Sequence, residues 1–194
     1  MKKTIFALLT SALALGAATA HAEDLKPYIG VGVVSSQHKY DLSNDTSNGD
    51  RKSTEWGGKI FGGVQLDQTW GLEAGYTDFG KSSYNYSVGT NSGRIEGSAK
   101  SYYLAGKGTF PVAQNLSLTG KLGLAHNTND LSGTGLAAGY TSDNSRTSVY
   151  AGVGAEYAIN QKVSAVLEYE HYGKNDVDLG RRKGAVTLGV KAAF

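Results

Sequence analysis

The sequence predicts an all-β chain, an eight-stranded antiparallel up-and-down β-barrel that spans a membrane. Three observations point there. Eight segments alternate apolar with small or polar residues at a period of two. Tight turns alternate with long polar connections along the chain. The last segment places Val186, Leu188, Val190, Ala192 and Phe194 on one face and ends on that aromatic, with Lys191 among small or polar residues on the other. A strand with lipid on one side and a polar lumen on the other has this pattern.

Each strand follows from its own alternation. The first, residues 28–36, sets Ile29, Val31 and Val33 against Gly30, Gly32 and Val34. The second, residues 54–66, sets Trp56, Ile60 and Val64 outward and Lys59, Phe61 and Gln65 inward. The third, residues 70–79, carries Trp70, Leu72, Ala74 and Tyr76 outward and Glu73 and Thr77 inward. The fourth, residues 98–110, turns Tyr102, Leu104 and Phe110 out and Tyr103, Ala105 and Lys107 in. The fifth, residues 115–127, repeats this with Leu116, Leu118, Leu122 and Leu124 against Ser117, Thr119 and Lys121. In the sixth, residues 147–159, Val149, Val153 and Tyr157 face out and Tyr150 and Glu156 in. The seventh, residues 162–171, has Val163, Leu167 and Tyr169 outward and Val166, Glu168 and Glu170 inward. The eighth is residues 183–194.

Residues 67–69, 111–114 and 160–161 read as tight turns. Residues 37–53, 80–97, 128–146 and 172–182 read as long, mobile loops rich in Asn, Ser, Gly and Asp. This asymmetry is that of an outer-membrane barrel, with turns periplasmic and loops extracellular. A soluble antiparallel barrel with the apolar face inside is the competing fold. Two features favour the membrane. The polar face is small enough to fill a narrow lumen, and aromatics gather near strand ends as interface girdles do. Those aromatics are Tyr28, Trp56, Trp70, Tyr76, Phe79, Tyr102, Phe110, Tyr157, Tyr169 and Phe194.

Composition narrows the classes further. Residues 1–22 have the layout of a secretory signal: Lys2 and Lys3, an apolar run over 5–18, then Ala20-His21-Ala22 as a small-x-small cleavage site. Residues 23–194 would then be one barrel domain. The net charge of +2 disappears with Lys2 and Lys3, so no basic excess suggests nucleic acid. There is no cysteine, so disulfide and thiolate chemistry are excluded. His38, His126 and His171 lack metal-ligand spacing, and no cofactor is implied. The 27 glycines and 12 tyrosines suit strands and turns rather than helices.

Several segments resemble the outer membrane protein A transmembrane domain. They are residues 70–80 (WGLEAGYTDFG), 105–111 (AGKGTFP) with 118–123 (LTGKLG), and 149–159 (VYAGVGAEYAI) with 167–169 (LEY). No single motif is specific; the order and spacing are. The resemblance covers the chain after residue 22 and is to a barrel-only member, without the peptidoglycan-binding domain. It implies a Gram-negative outer membrane location with lipid and lipopolysaccharide as surroundings; the barrel is expected to be a monomer. It also implies assembly through periplasmic chaperones and the barrel assembly machinery, guided by the C-terminal Phe194. Interior charges are implied at Glu73, Lys107, Lys121 and Glu156. Val166 stands where the family has an arginine, so the interior glutamates, Glu168 among them, must find lysines: Lys59, Lys107, Lys121 or Lys191.

What these residues do stays open between alternatives. The lumen charges form either a gate or a plug in a barrel of a size that side chains can fill. Arg181, Arg182 and Lys183 either meet lipopolysaccharide phosphates or form a solvated turn. No enzymatic mechanism is supported. His126 with Thr128 leaves a remote reading as a lipid A-modifying hydrolase. The expected function is structural, maintaining membrane integrity, either with a closed lumen or with a narrow low-conductance pore. The alternative is surface adhesion or host interaction through the loops.

Overall fold

In a computed structural model the chain closes into a barrel of eight antiparallel strands in sequential order. They are β1 (Lys26–Lys39), β2 (Lys52–Gln65), β3 (Trp70–Val88), β4 (Asn91–Ala113), β5 (Leu116–Gly135), β6 (Thr141–Ala158), β7 (Val163–His171) and β8 (Ala185–Ala193). The structure describes residues 25–39, 52–88, 91–135, 141–173 and 184–194. The seam is a full antiparallel ladder from Tyr28↔Ala193 to Ser36↔Ala185. Closure removes the sheet edges that lipid cannot satisfy.

The turns at one end are built by side chains. Asp67 accepts the backbone N–H groups of Thr69 and Trp70, both at 2.7 Å. Asn160 does the same for Lys162 and Val163, both at 2.9 Å. A short polar side chain that mimics a turn hydrogen bond lets the chain reverse in a few residues. The third turn is shorter than the sequence suggests. β4 continues through Pro111 to Ala113, with a register irregularity between those two residues.

Alternation sorts the wall into two faces. Leu72, Leu104, Leu122, Val153 and Leu188 lie exposed on the outside. Lys59, Glu73, Lys107, Lys121 and Glu156 lie buried on the inside. Gly75 shows how tightly the lumen is filled: a Cβ there would come within 2.5 Å of the Tyr103 ring.

Three further expectations need correction. Residues 80–97 and 128–146 are not loops over most of their length. β3 runs to Val88 and β4 starts at Asn91, while β5 runs to Gly135 and β6 starts at Thr141. β4 pairs β5 throughout, from Gly93↔Gly135 downward. Each of these strands therefore has a neighbour to bond with, and Thr- and Tyr-containing polar segments hold a ladder without an apolar face. Of the other two long connections, residues 40–51 and 174–183 lie outside the described residues. The aromatic set also splits. Tyr28 and Phe79 are 6% and 1% exposed and belong to the lumen, because each shares the inward parity of its strand. Lastly, β8 begins at Ala185 rather than at residue 183.

Candidate functional site in the barrel lumen

Among the described residues, each of β2 to β8 sends at least one charged side chain inward. Lys59 comes from β2, Glu73 from β3, Lys107 from β4, Lys121 from β5 and Glu156 from β6. β7 gives Glu168 and Glu170, and β8 gives Lys191. These eight groups join into one chain of alternating sign. Starting toward the long hairpins, Glu170 pairs with Lys59 at 2.7 Å, and Lys59 with Glu168 at 2.7 Å. Glu168 meets Lys121, and Lys121 meets Glu73 at 2.6 Å. Glu73 lies 3.8 Å from Lys107. Lys107 bonds Glu156, and Glu156 bonds Lys191 near the turn end.

Four lysines against four glutamates leave the chain neutral. That balance is what a narrow lumen demands, since an isolated buried ion is expensive. Val166, where the resemblance implies an arginine, is 1% exposed and lies beside Glu156 in the β6–β7 register. The cations at Glu156 come instead from Lys107 and Lys191.

Aromatic residues complete the site. Glu73 accepts the Tyr28 hydroxyl at 3.0 Å and the Tyr103 hydroxyl at 2.5 Å. The Lys107 and Lys191 ammonium groups sit 4.8 and 5.0 Å from the Tyr28 ring centroid, a cation–π distance. At the long-hairpin end, Tyr103 stacks on Tyr150 with centroids 4.4 Å apart. Tyr172 meets Tyr150 at 5.2 Å and Phe79 at 5.1 Å, each edge-on. Asn127 fixes this lid by donating to the Tyr172 carbonyl at 2.7 Å, while Thr77 bonds the Tyr172 hydroxyl at 3.0 Å. Tyr150 and Thr187 both donate to Glu170. The lumen is thus lidded at one end, and at the other Lys191 keeps 14% of its side chain exposed.

Glu170, Tyr28, Tyr103, Tyr150 and Tyr172 are the participants that the predicted set omits. The inward parity of the first four was available as a signal. Tyr172 lies one residue past β7, where parity stops informing. Phe194 is 76% exposed on the outer face, and its backbone N–H donates to the Pro27 carbonyl at 3.0 Å. Arg181, Arg182 and Lys183 lie outside the described residues. His126 sits on the outer face, its Nδ1 3.0 Å from Thr147 Oγ1 across the β5–β6 ladder, so its hydroxyl neighbour is Thr147 and not Thr128. Among the described residues no cluster of three His, Asp or Glu side chains is arranged to hold a metal.

Comparison with known proteins agrees with this architecture. The sequence model of the family described as "Outer membrane protein beta-barrel domain" matches residues 5–194. Outer membrane protein A of Escherichia coli O157:H7 is 31% identical over 201 residues, covering all of this chain and 55% of that protein. Outer membrane protein A of Serratia marcescens is 31% identical over 180 residues, covering 88% of this chain and 49% of that protein. The chain therefore spans about half the length of these relatives. Among solved structures, the attachment invasion locus protein Ail of Yersinia pestis superposes with a TM-score of 0.58 at 20% identity, over 88% of this chain and 99% of Ail. With a closed eight-stranded wall, a polar lumen and a lipid-facing exterior, the chain belongs to the outer membrane protein β-barrel domain family and is an integral barrel protein of the Gram-negative outer membrane.

Proposed function

We propose that the barrel is a structural component of the outer membrane and that its lumen is a plug. The observation that carries this is the unbroken, neutral Lys–Glu chain filling the interior, lidded by Tyr103, Tyr150 and Tyr172. A conducting pore keeps unpaired charges along open water, whereas these charges are spent on one another. No step of catalysis is assigned to the lumen, because every acid and base in it is held by a counter-charge. In this reading residues 1–22 are a cleaved signal, residues 23–194 the barrel, and the barrel acts as a monomer. Phe194 presents its ring for recognition by the assembly machinery after chaperone delivery. The test is deletion of the gene followed by detergent and antibiotic sensitivity of the cells. Sensitivity should rise and be restored by the full chain. Unchanged sensitivity would sink the structural role.

A second reading has an observation of its own. The hairpins β3–β4 and β5–β6 rise side by side as a four-stranded ridge, and a ridge of this kind is a surface for adhesion. The structural neighbour Ail is named for attachment and was solved with a heparin analogue, which supports testing this chain for binding to sulfated polysaccharide. A chain with residues 82–96 replaced by a tight turn separates the readings. Integrity should survive the trimming, and adhesion should not.

A further inference from the structure

The mouth of the lumen at the long-hairpin end holds a cavity of about 20 Å³, lined by Phe79, Asn127, Tyr172, Gly173 and Ala185, with the exposed His171 at its rim. Space of this size admits one water-sized group. Asn127 is 3% exposed and uses only half of its amide. Its Nδ2 donates to the Tyr172 carbonyl, while among the described residues its Oδ1 has no hydrogen-bond partner. A buried polar atom left unpaired calls for an occupant.

Two more oxygens at this level are in the same state. Ser101 Oγ, across the β4–β5 ladder from Asn127, is buried without a partner. So is Ser36 Oγ, across the β1–β8 ladder from Ala185. All three orphans are oxygens and none is a nitrogen, so the mouth asks for hydrogen-bond donors.

The field and the walls select among donors. The ion-pair chain is neutral as a whole, but it ends on a carboxylate, Glu170, toward this mouth and on an ammonium, Lys191, toward the turns. Here Glu168 and Glu170 stand against Lys59. Arg146, opposite Asn127 in the β5–β6 ladder, is exposed and has a partner of its own. The Phe79 and Tyr172 rings meet at 90° in the wall, and aromatic rings attract a cation within about 6 Å. A hard metal cation takes about six or more oxygens, which a wall of aromatic and small residues does not supply.

We infer that the outer mouth of the barrel is a binding site for a primary alkylammonium group, with Asn127 Oδ1 as its acceptor and the Phe79–Tyr172 pair as its wall. A free amine in the medium and a lysine side chain of an extracellular polypeptide both carry that group. The site lies above the Tyr172 lid, goes beyond the structural role proposed above, and stands whether or not that role does.

The test is titration of the refolded full chain in neutral detergent with n-butylammonium chloride, read at the Gly173 backbone amide by NMR. Saturable shifts are expected, and n-butanol, tetramethylammonium and sodium chloride should not reproduce them. Asn127→Ala and Asn127→Asp both remove the bond to the Tyr172 carbonyl, so they separate ligand contact from support of the lid. Asn127→Ala should bind roughly tenfold more weakly, as loss of a hydrogen bond to a charged group implies, and Asn127→Asp should bind more tightly than wild type. Gln65→Ala, at the turn end, should bind as wild type does, with heat-modifiable migration showing that each variant folds. Putrescine bound more tightly than Nα-acetyl-lysine methylamide would assign the group to a free amine, and the reverse order to a lysine side chain; failure of both would overturn the site. Equal weakening in Asn127→Ala and Asn127→Asp would reduce Asn127 to a support of the lid and overturn it. Absence of saturable shifts with butylammonium would leave a trapped water only and overturn it as well.

Discussion

The inner and outer faces of one wall, a single strand thick, follow opposite rules. On the outside Leu104, Leu122 and Val153 are 63%, 68% and 63% exposed. On the inside Lys107 and Glu170 are both 0% exposed. In a soluble barrel this arrangement would be inverted. The difference teaches that solvent, not residue type, decides which face is the core. Lipid receives the apolar face without penalty, so stability has to come from closing the ladder and from the polar packing inside.

That contrast can be broken most strongly from within. Glu73 holds Lys121 and two tyrosine hydroxyls, with Lys107 nearby. Glu73→Ala leaves a buried cation short of its partner and should cost about 3–5 kcal/mol. Urea unfolding of the refolded barrel in vesicles measures it. A loss below that of an ordinary surface substitution would show that water enters the lumen and screens the charges.

The outer face sharpens the comparison by chemistry rather than size. Leu122→Arg should cost about 2–4 kcal/mol near the bilayer midplane. Leu122→Ala should cost much less, because lipid fills the space that a protein core leaves as a cavity. Equal penalties for the two would mean that this face packs against protein.

A smaller effect belongs to the open end of the lumen. Lys191 is partly wetted and shares Glu156 with Lys107. Lys191→Met should therefore cost only about 1 kcal/mol or less. If it matched Glu73→Ala in the same unfolding assay, the lumen would be as dry at this end as at its centre.

The smallest effect lies outside the wall, at the turn carrying Asp67. Its carboxylate accepts the Trp70 and Thr69 N–H groups, which holds it below the usual carboxylate range. A folded-state value below the unfolded one stabilises above the unfolded pKa, and the gain is lost as pH falls through the folded value. Stability should decline slightly across that acidic window, and Asp67→Asn, which keeps the acceptor, should flatten the decline. The measurement is the unfolding midpoint against pH for both proteins.

Much of this was legible in the residues. Period two identified the strands and assigned Lys59, Glu73, Lys107, Lys121 and Glu156 to the lumen side, where the structure has them buried. Partners were not legible. Lys59 on β2 reaches Glu168 and Glu170 on β7, and no pattern along one strand encodes a contact across the bore. The height of the β3–β6 ridge was hidden for another reason. Beyond the membrane a strand needs only a paired neighbour, so Ser, Asn and Gly in residues 82–93 read as loop. The bulge at Gly80 on β3, between Asp78 and Lys81, was masked because one extra residue is invisible until the register is known.

The most direct test of the central claim, that a neutral ion-pair chain plugs the lumen, is single-channel recording of the refolded protein in a planar bilayer. Wild type should be silent, and the Lys107→Ala/Glu156→Ala variant, which opens a gap beside Tyr28, should show discrete openings. Steady openings in wild type, unchanged in the variant, would contradict the plug.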